Sequence, residues 1–373
     1  MNFDITEDQL RTQQVARDFA AHVLAPRATD VDQNARIEAE SIGQLGDAGW
    51  LGMTIPEAFG GSGGDFVALA LAIEEFAAAC ANSAGFVAAN VALACRPLLA
   101  YGSDTQKREL LTPLARGKTT LAFAPADPDN LGAGVVHAER QHDGSFVLRG
   151  ETSPVTLFGQ PDHVLVFART ADERVTAFVV PYGAANLHVT VLPGHLGKRA
   201  ARLGVLRFDG VQLPASAAVG QQGDGLSIAR SALDDARIAA AAEALGIARA
   251  AYEKAALHVK QESPKTPAPG LLGVQVMLAD MCVEVEAARL LTLRAARQAD
   301  AGTTSGSERS MAKLFASEMS TRVAHKAMQI LGARNVATTP SLERHFRDAR
   351  MAELSDDPPE VQRAIIAAAM LKA

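Results

Sequence analysis

The chain has 373 residues, 48% hydrophobic and 21% charged, the balance of an ordinary globular protein with length for one large unit or two to three small domains. A net charge of -6 argues against nucleic acid as the main partner, because phosphate binding needs clustered Lys and Arg. The three cysteines (Cys80, Cys95, Cys282) form neither a disulfide framework nor a zinc spacing, and the acidic start lacks the apolar stretch of a secretory signal, so a cytoplasmic protein is expected.

In chain order, helical spacing of Leu10, Val15, Phe19 and Leu24 predicts a helix from Thr6 to about Ala28, with Thr6 and Asp8 available as caps and Pro26 as its end. An amphipathic run follows around Ile37 to Leu45, then the glycine- and proline-rich loop GWLGMTIPEAFGGSGGD. Phe76 to Cys95 carries no charge over twenty residues, the length of a membrane span. It is mainly alanine, however, and alanine contributes little to insertion. Two helices buried against each other, broken at Asn82 to Gly85, are expected there instead. Thr105 to Leu114 starts a further short helix.

From about Thr119 the pattern changes to short runs of period two: SFVLRG, HVLVFART, RVTAFVVP, LHVTVLPG and VLRFDGVQLP. Helical periodicity returns at Gly225, with helices expected over about 225–260, 273–301, 307–332 and 359–372. The expected organisation is a helical domain over 1–118, a middle β domain over 119–222 and a helical bundle over 223–373.

Segments along the whole chain resemble the acyl-CoA dehydrogenase family, in order: FDITEDQ, LGDAGWLGMTIPEAFGGSGGD, YGSDTQKRELLTPLARGK, FDGVQLPASAAVGQQGDG, ALDDARIAAAAEALGIARAAYEKA, MAKLFASEMS and LERHFRDARM. The resemblance implies a mainly α protein in which a β-barrel or sandwich sits between an N-terminal helical domain and a C-terminal four-helix bundle. It also implies a chemistry: a carboxylate removes the α-proton of an acyl-CoA thioester while a hydride leaves for FAD. Such proteins are usually tetramers, dimers of dimers with FAD between neighbouring subunits.

The family's site residues carry over only in part. Its catalytic Glu-Gly-Thr aligns with Asp356, Asp357 and Pro358, so Asp356 is the candidate base, one methylene shorter. The same D-P-P-E run also reads as a helix start, with Asp357 as N-cap, Pro358 as first helical residue and Glu360 as the capping-box acid. The alternative base of some relatives, in Leu-Asp-x-Glu-Arg, falls on Ala236, which closes that route. Asp234 and Arg237 survive from that motif. By resemblance they lie on the thioester and CoA side; as residues alone they are an i, i+3 ion pair.

For the flavin, Thr-Glu-Pro has become Phe123-Ala124-Pro125, and Trp-Ile-Thr has become Pro154-Val155-Thr156, leaving Thr156 as the one remaining contact. On the neighbour's half-site, Gln261 replaces an arginine, Pro264-Lys265 replaces Phe-Gly, and Gln329 and Gly332 survive while Ala333 puts a methyl where the backbone approaches the cofactor. An arginine–phosphate contact is worth roughly 1.5–3 kcal/mol, and several losses together approach a micromolar affinity of about 8 kcal/mol. Weak or absent FAD binding in the isolated chain is expected. Three functions stay open: a degenerate subunit needing a flavin-competent partner chain, as in relatives acting on steroid-type acyl-CoAs; an active flavoprotein using Asp356; or a non-redox binder of acyl-CoA or protein.

Overall fold

The computed structural model describes residues 5–124, 135–262, 268–303, 306–337, 339–355 and 357–372. Helix α1 (Glu7–Phe19) starts at Thr6, whose hydroxyl accepts from the Gln9 N–H while Gln9 caps back, a reciprocal capping box. Pro26 does not end the helical path. A π turn at Ala20–Leu24 and a 3-10 turn at Ala25–Arg27 absorb its missing N–H, and the path continues as α2 (Ala28–Asn34) until Ala35 turns left-handed. Then come α3 (Ala39–Asp47), α4 (Phe66–Ala79), α5 (Ala81–Ala88) and, after a π turn at Ala89–Ala94, α6 (Cys95–Tyr101). Two short turns of helix, α7 (Asp104–Gln106) and α8 (Thr112–Ala115), close this part.

The α4–α5 break falls at Cys80 (φ -152°, ψ 101°), ahead of the expected Asn82 to Gly85. Asn82 and Asn90 are spent on tertiary and helical bonds instead: Asn82 accepts from the Ala200 N–H, and Asn90 bonds both Phe86 and Leu121. The apolar stretch Ala81–Tyr101 meets the length and hydropathy of a membrane span, yet most of it is buried inside this chain. Core burial accounts for its composition.

Among the described residues nine strands form one sheet: β1 (Leu121–Phe123), β2 (Val136–Arg140), β3 (Phe146–Glu151), β4 (Val155–Leu157), β5 (His163–Arg169), β6 (Val175–Pro181), β7 (Leu187–Val191), β8 (Arg202–Leu213) and β9 (Ala218–Val219). The order is β4-β8-β3-β2-β5-β6-β9, with β1 parallel beside β5 and β7 antiparallel to β8. Both faces of β5 and β6 are buried. Val164, Val166, Phe178 and Val180 enter a core within the sheet, while Leu165, Phe167, Ala177 and Val179 turn to the helices. The three shortest strands escaped sequence reading, because a strand of two or three residues shows no period; the five-residue β2 escaped it too.

The C-terminal part holds α9 (Gly225–Glu262), α10 (Ala268–Asp300), α11 (Gly306–Ala337), α12 (Pro340–Leu354) and α13 (Pro359–Lys372). Helix α9 is shared, packing against α4, α5, α10, α11 and α12. Its residues Ile238 to Ala251 are buried almost all round, and the small side chains let neighbours approach closely. Charges bolt the same junction. Arg249 meets Glu74 at 2.8 Å and Glu75 at 2.7 Å, Arg289 meets Glu74 at 2.7 Å, and Arg17 meets Glu75 at 2.9 Å. Burial alone would push the Glu75 carboxyl up, but Arg17 and Arg249 hold it below its ordinary value.

A methyl on Gly246 would sit 2.2 Å from the Glu74 carbonyl oxygen, so α4 and α9 can lie this close only without it. Gly246→Ala is therefore expected to lower stability by roughly 1–3 kcal/mol, read as a lower urea midpoint. Gly43→Ala, whose methyl meets nothing within 4 Å on α3, is the control. It is expected to gain roughly 0.5–1 kcal/mol. Equal midpoints for the two variants would refute the close helix contact.

Candidate functional site

A cavity of about 320 Å³ lies where the three parts meet, between α5, β1, β4, the segment His195–Leu203, α9 and the end of α12. Its walls are mainly apolar: Phe86, Leu93, Phe123, Phe158, Leu233 and Ala240 all face it. Strand β1 is held to the helices by Asn90, whose Oδ1 accepts from the Leu121 N–H at 2.9 Å while its Nδ2 donates to the Phe86 carbonyl. Thr156, on β4 and paired in register with Leu203, lines the cavity. Ala236 lines it too, so the position of the alternative base is a methyl on the wall.

At one end stands an ion pair that sequence reading missed. Lys198 Nζ lies 3.0 Å from Glu243 Oε2, with both side chains buried. Gly85 packs beside it: an added Cβ there would meet Phe158 Cζ at 3.3 Å and lie in ordinary van der Waals contact with Glu243 Oε1 at 3.4 Å and Lys198 Cε at 3.5 Å. The visible signal was Glu243 itself, a lone acid inside the apolar run AAAAEALGIA; Lys198 gave none. His195 also lines the cavity, and its buried Nε2 has no hydrogen-bond partner. Burial first, then the Lys198 ammonium, hold its imidazole below the ordinary value, which keeps it neutral at pH 7.

At the other end Arg237 binds two carboxylates, Asp234 one turn back on α9 and Asp357 Oδ2 at 2.7 Å. The i, i+3 pair therefore exists and reaches the cavity, because Asp357 lines it. Burial pushes the Asp234 carboxyl up, against the charges of Arg237 and Arg309. Asp357 is not the N-cap that the D-P-P-E pattern suggests. Its backbone is left-handed (φ 67°), its carboxylate faces Arg237, and α13 begins only at Pro359. The Asp357 carbonyl is fastened by Lys313 Nζ at 2.8 Å and Gln362 Nε2 at 3.1 Å. Asp356, the candidate base, lies outside the described residues, as do Pro125, Pro264 and Lys265.

Gln329 and Gly332 do not join this cavity. Both sit on α11, Gln329 exposed and Gly332 breaking the helix with φ 69°. Gln261 is exposed at the end of α9.

Residues 6–118 match the acyl-CoA dehydrogenase N-terminal domain and residues 223–371 the acyl-CoA dehydrogenase C-terminal domain. The chain belongs to the acyl-CoA dehydrogenase family. It is 35% identical over 376 residues to the mitochondrial short-chain specific acyl-CoA dehydrogenase of Bos taurus, covering 99% of this chain and 91% of that protein. A probable acyl-CoA dehydrogenase of Bacillus subtilis is 34% identical with full coverage of both chains. Among solved structures, butyryl-CoA dehydrogenase from Megasphaera elsdenii superposes with a TM-score of 0.93 at 32% identity, covering 100% of each chain. A Mycobacterium smegmatis glutaryl-CoA dehydrogenase in complex with FADH2 gives 0.91 at 26%, covering 99% and 96%.

FAD, the cofactor of acyl-CoA dehydrogenases, tests this cavity severely. The volume is at the small end for ligand pockets. Among the described lining residues the uncommitted hydroxyl is that of Thr156; Asn90 is spent on Phe86 and Leu121, and Thr120 on Asp162. Lys198 is the one cationic lining side chain described, and it is paired with Glu243. The described donor set of one chain does not fit a whole dinucleotide.

The segment carrying His195 and Lys198 is tied to α12 by Asp348, whose Oδ1 accepts the Lys198 N–H at 2.6 Å. Burial pushes the Asp348 carboxyl up to about 6, against an ordinary 3.8, with Asp32 adding and Arg344 and Arg347 opposing. A raised carboxyl favours folding below its unfolded value and loses that benefit as pH rises through about 6. Asp348→Asn cannot ionise. Its stability relative to the native chain is expected to improve on the order of 2 kcal/mol between pH 4 and pH 8, followed by chemical denaturation. A difference that does not change with pH would disprove the assignment.

Proposed function

We propose that the chain binds an acyl-CoA thioester in this cavity and serves as the flavin-poor subunit of an acyl-CoA dehydrogenase, beside a flavin-competent chain of the same fold. The observation that carries the reading is the state of the described cavity carboxylates. Glu243 is engaged by Lys198 at 3.0 Å and Asp357 by Arg237 at 2.7 Å. A carboxylate whose lone pairs face a cation must shed that partner before it can take a substrate proton. Neither stands ready as a base.

Binding, orientation and exclusion of water are what these residues supply. The apolar wall accepts an alkyl segment, and the Arg237 network fixes the turn at Asp357 beside the thioester end. A bound flavin would supply the hydride acceptor, and in this reading it sits mainly in the partner. Short-chain relatives agree with the modest cavity volume. Support for a partner comes from α10, where Val276, Val283 and Leu290 recur every seven residues, each more than half exposed. An apolar stripe of that spacing suits another helix.

The chain purified alone is expected to carry far less than one flavin per chain by visible absorption. Co-expressed with a flavin-competent relative, it is expected to give a yellow complex whose acyl-CoA-dependent dye reduction neither chain shows alone. Asp356→Asn in this chain should leave that rate unchanged. A full flavin band in the chain alone, with dye reduction abolished by Asp356→Asn, would establish the self-sufficient enzyme instead.

A further inference from the structure

The cavity has two chemically different ends, and α9 measures the distance between them. Leu233, Ala236, Ala240 and Glu243 line it from one helix face. Arg237, which holds Asp357 at the thioester end, precedes Glu243 by six residues, about 9 Å along the axis. Side chains lean toward the N-terminus of their helix, so Glu243 reaches back into the cavity. An acyl chain entering beside Asp357 and following the apolar wall therefore runs toward the Lys198–Glu243 pair.

A plain alkyl group has no need of such an end. Charges in an apolar wall cost desolvation, and well-packed apolar residues of similar volume are commonly as stable or more so. Two separate elements nonetheless bring this pair together: Lys198 comes from the segment before β8, and Glu243 from α9. His195 supplies a second, independent pointer to a polar ligand group, an imidazole Nε2 buried at the cavity without a partner. An ammonium beside a carboxylate offers a donor and an acceptor to the same visitor. A free carboxylate would meet Glu243 and an ammonium would meet Lys198, each repelled by one member. A neutral group that both donates and accepts satisfies both, and a neutral imidazole can take either role toward it.

We propose that Lys198 and Glu243, with His195, form the far terminus of the acyl site and select thioesters whose chain ends in a hydroxyl or amide. This rests on the reading of the cavity as an acyl-thioester site. Calorimetric titration of the purified full-length chain with hexanoyl- and octanoyl-CoA, and with their ω-hydroxy and ω-carboxy derivatives, tests it. One of the ω-hydroxy thioesters is expected to bind at least about tenfold tighter than its methyl-ended parent, the worth of one hydrogen bond to a charged group. The double variant Lys198→Met, Glu243→Gln removes both charges together and should erase that preference, so that the ω-hydroxy and methyl-ended thioesters bind alike. Equal or tighter binding of the methyl-ended thioesters would overturn the terminus alone and leave the acyl site standing. Tighter binding of the ω-carboxy forms would overturn the choice of a neutral end group. Binding of none of them would sink the acyl site itself, and the terminus with it.

Discussion

The segment from His195 to Ala201 is where the β domain is fastened to the helices, and the cavity exists because of that fastening. Three backbone or side-chain anchors act within a few residues: Asp348 of α12 takes the Lys198 N–H, Asn82 of α5 takes the Ala200 N–H, and Glu243 of α9 takes the Lys198 ammonium. Gly197 allows it, since a methyl there would lie 2.2 Å from the Arg347 carbonyl carbon. Each anchor sits on a different helix, so the segment cannot shift without losing a buried bond to one of them. Buried polar groups left without partners are costly, and this makes the arrangement stiff.

Behind that junction, α9 gives the cavity a rigid wall. Its outer half is clamped through Arg249 to Glu74 and Glu75 on α4, and its inner half presents Leu233, Ala236, Ala240 and Glu243 to the space. A wall on one continuous helix keeps the spacing between its two charged ends constant, which a wall of loops would not. Both ends are ion-paired: Arg237 with Asp234 and Asp357, Lys198 with Glu243.

The architecture was largely legible because its signals are local and repeated. Long periodic runs placed α9, α10, α11 and α13, and alternation placed β3, β5, β6, β7 and β8 to within a few residues. Failures were equally physical. Pro26 was read as a stop because a sequence does not show a π turn that absorbs a missing N–H. Asp357 was read as a cap because D-P-P-E carries that pattern, while its true partner, Arg237, lies 120 residues earlier. The site was legible in its losses more than its gains. Thr156 and Ala236 could be placed on the cavity wall by likeness, but a Lys–Glu pair contributed by separate elements has no sequence period at all.

That pair also constrains how this cavity came to differ from an apolar one. A lysine alone at position 198 would be an unpaired buried ammonium, and a glutamate alone at position 243 an unpaired buried carboxylate; breaking such a pair by removing one partner typically costs about 3–5 kcal/mol. Their stabilising value as a pair is small or negative against apolar residues of the same volume, so fold stability gives no reason to hold them. Two desolvated charges are accepted together at one end of the same small cavity. In the proposed reading, a polar guest reaching that end supplies an interaction that offsets their desolvation.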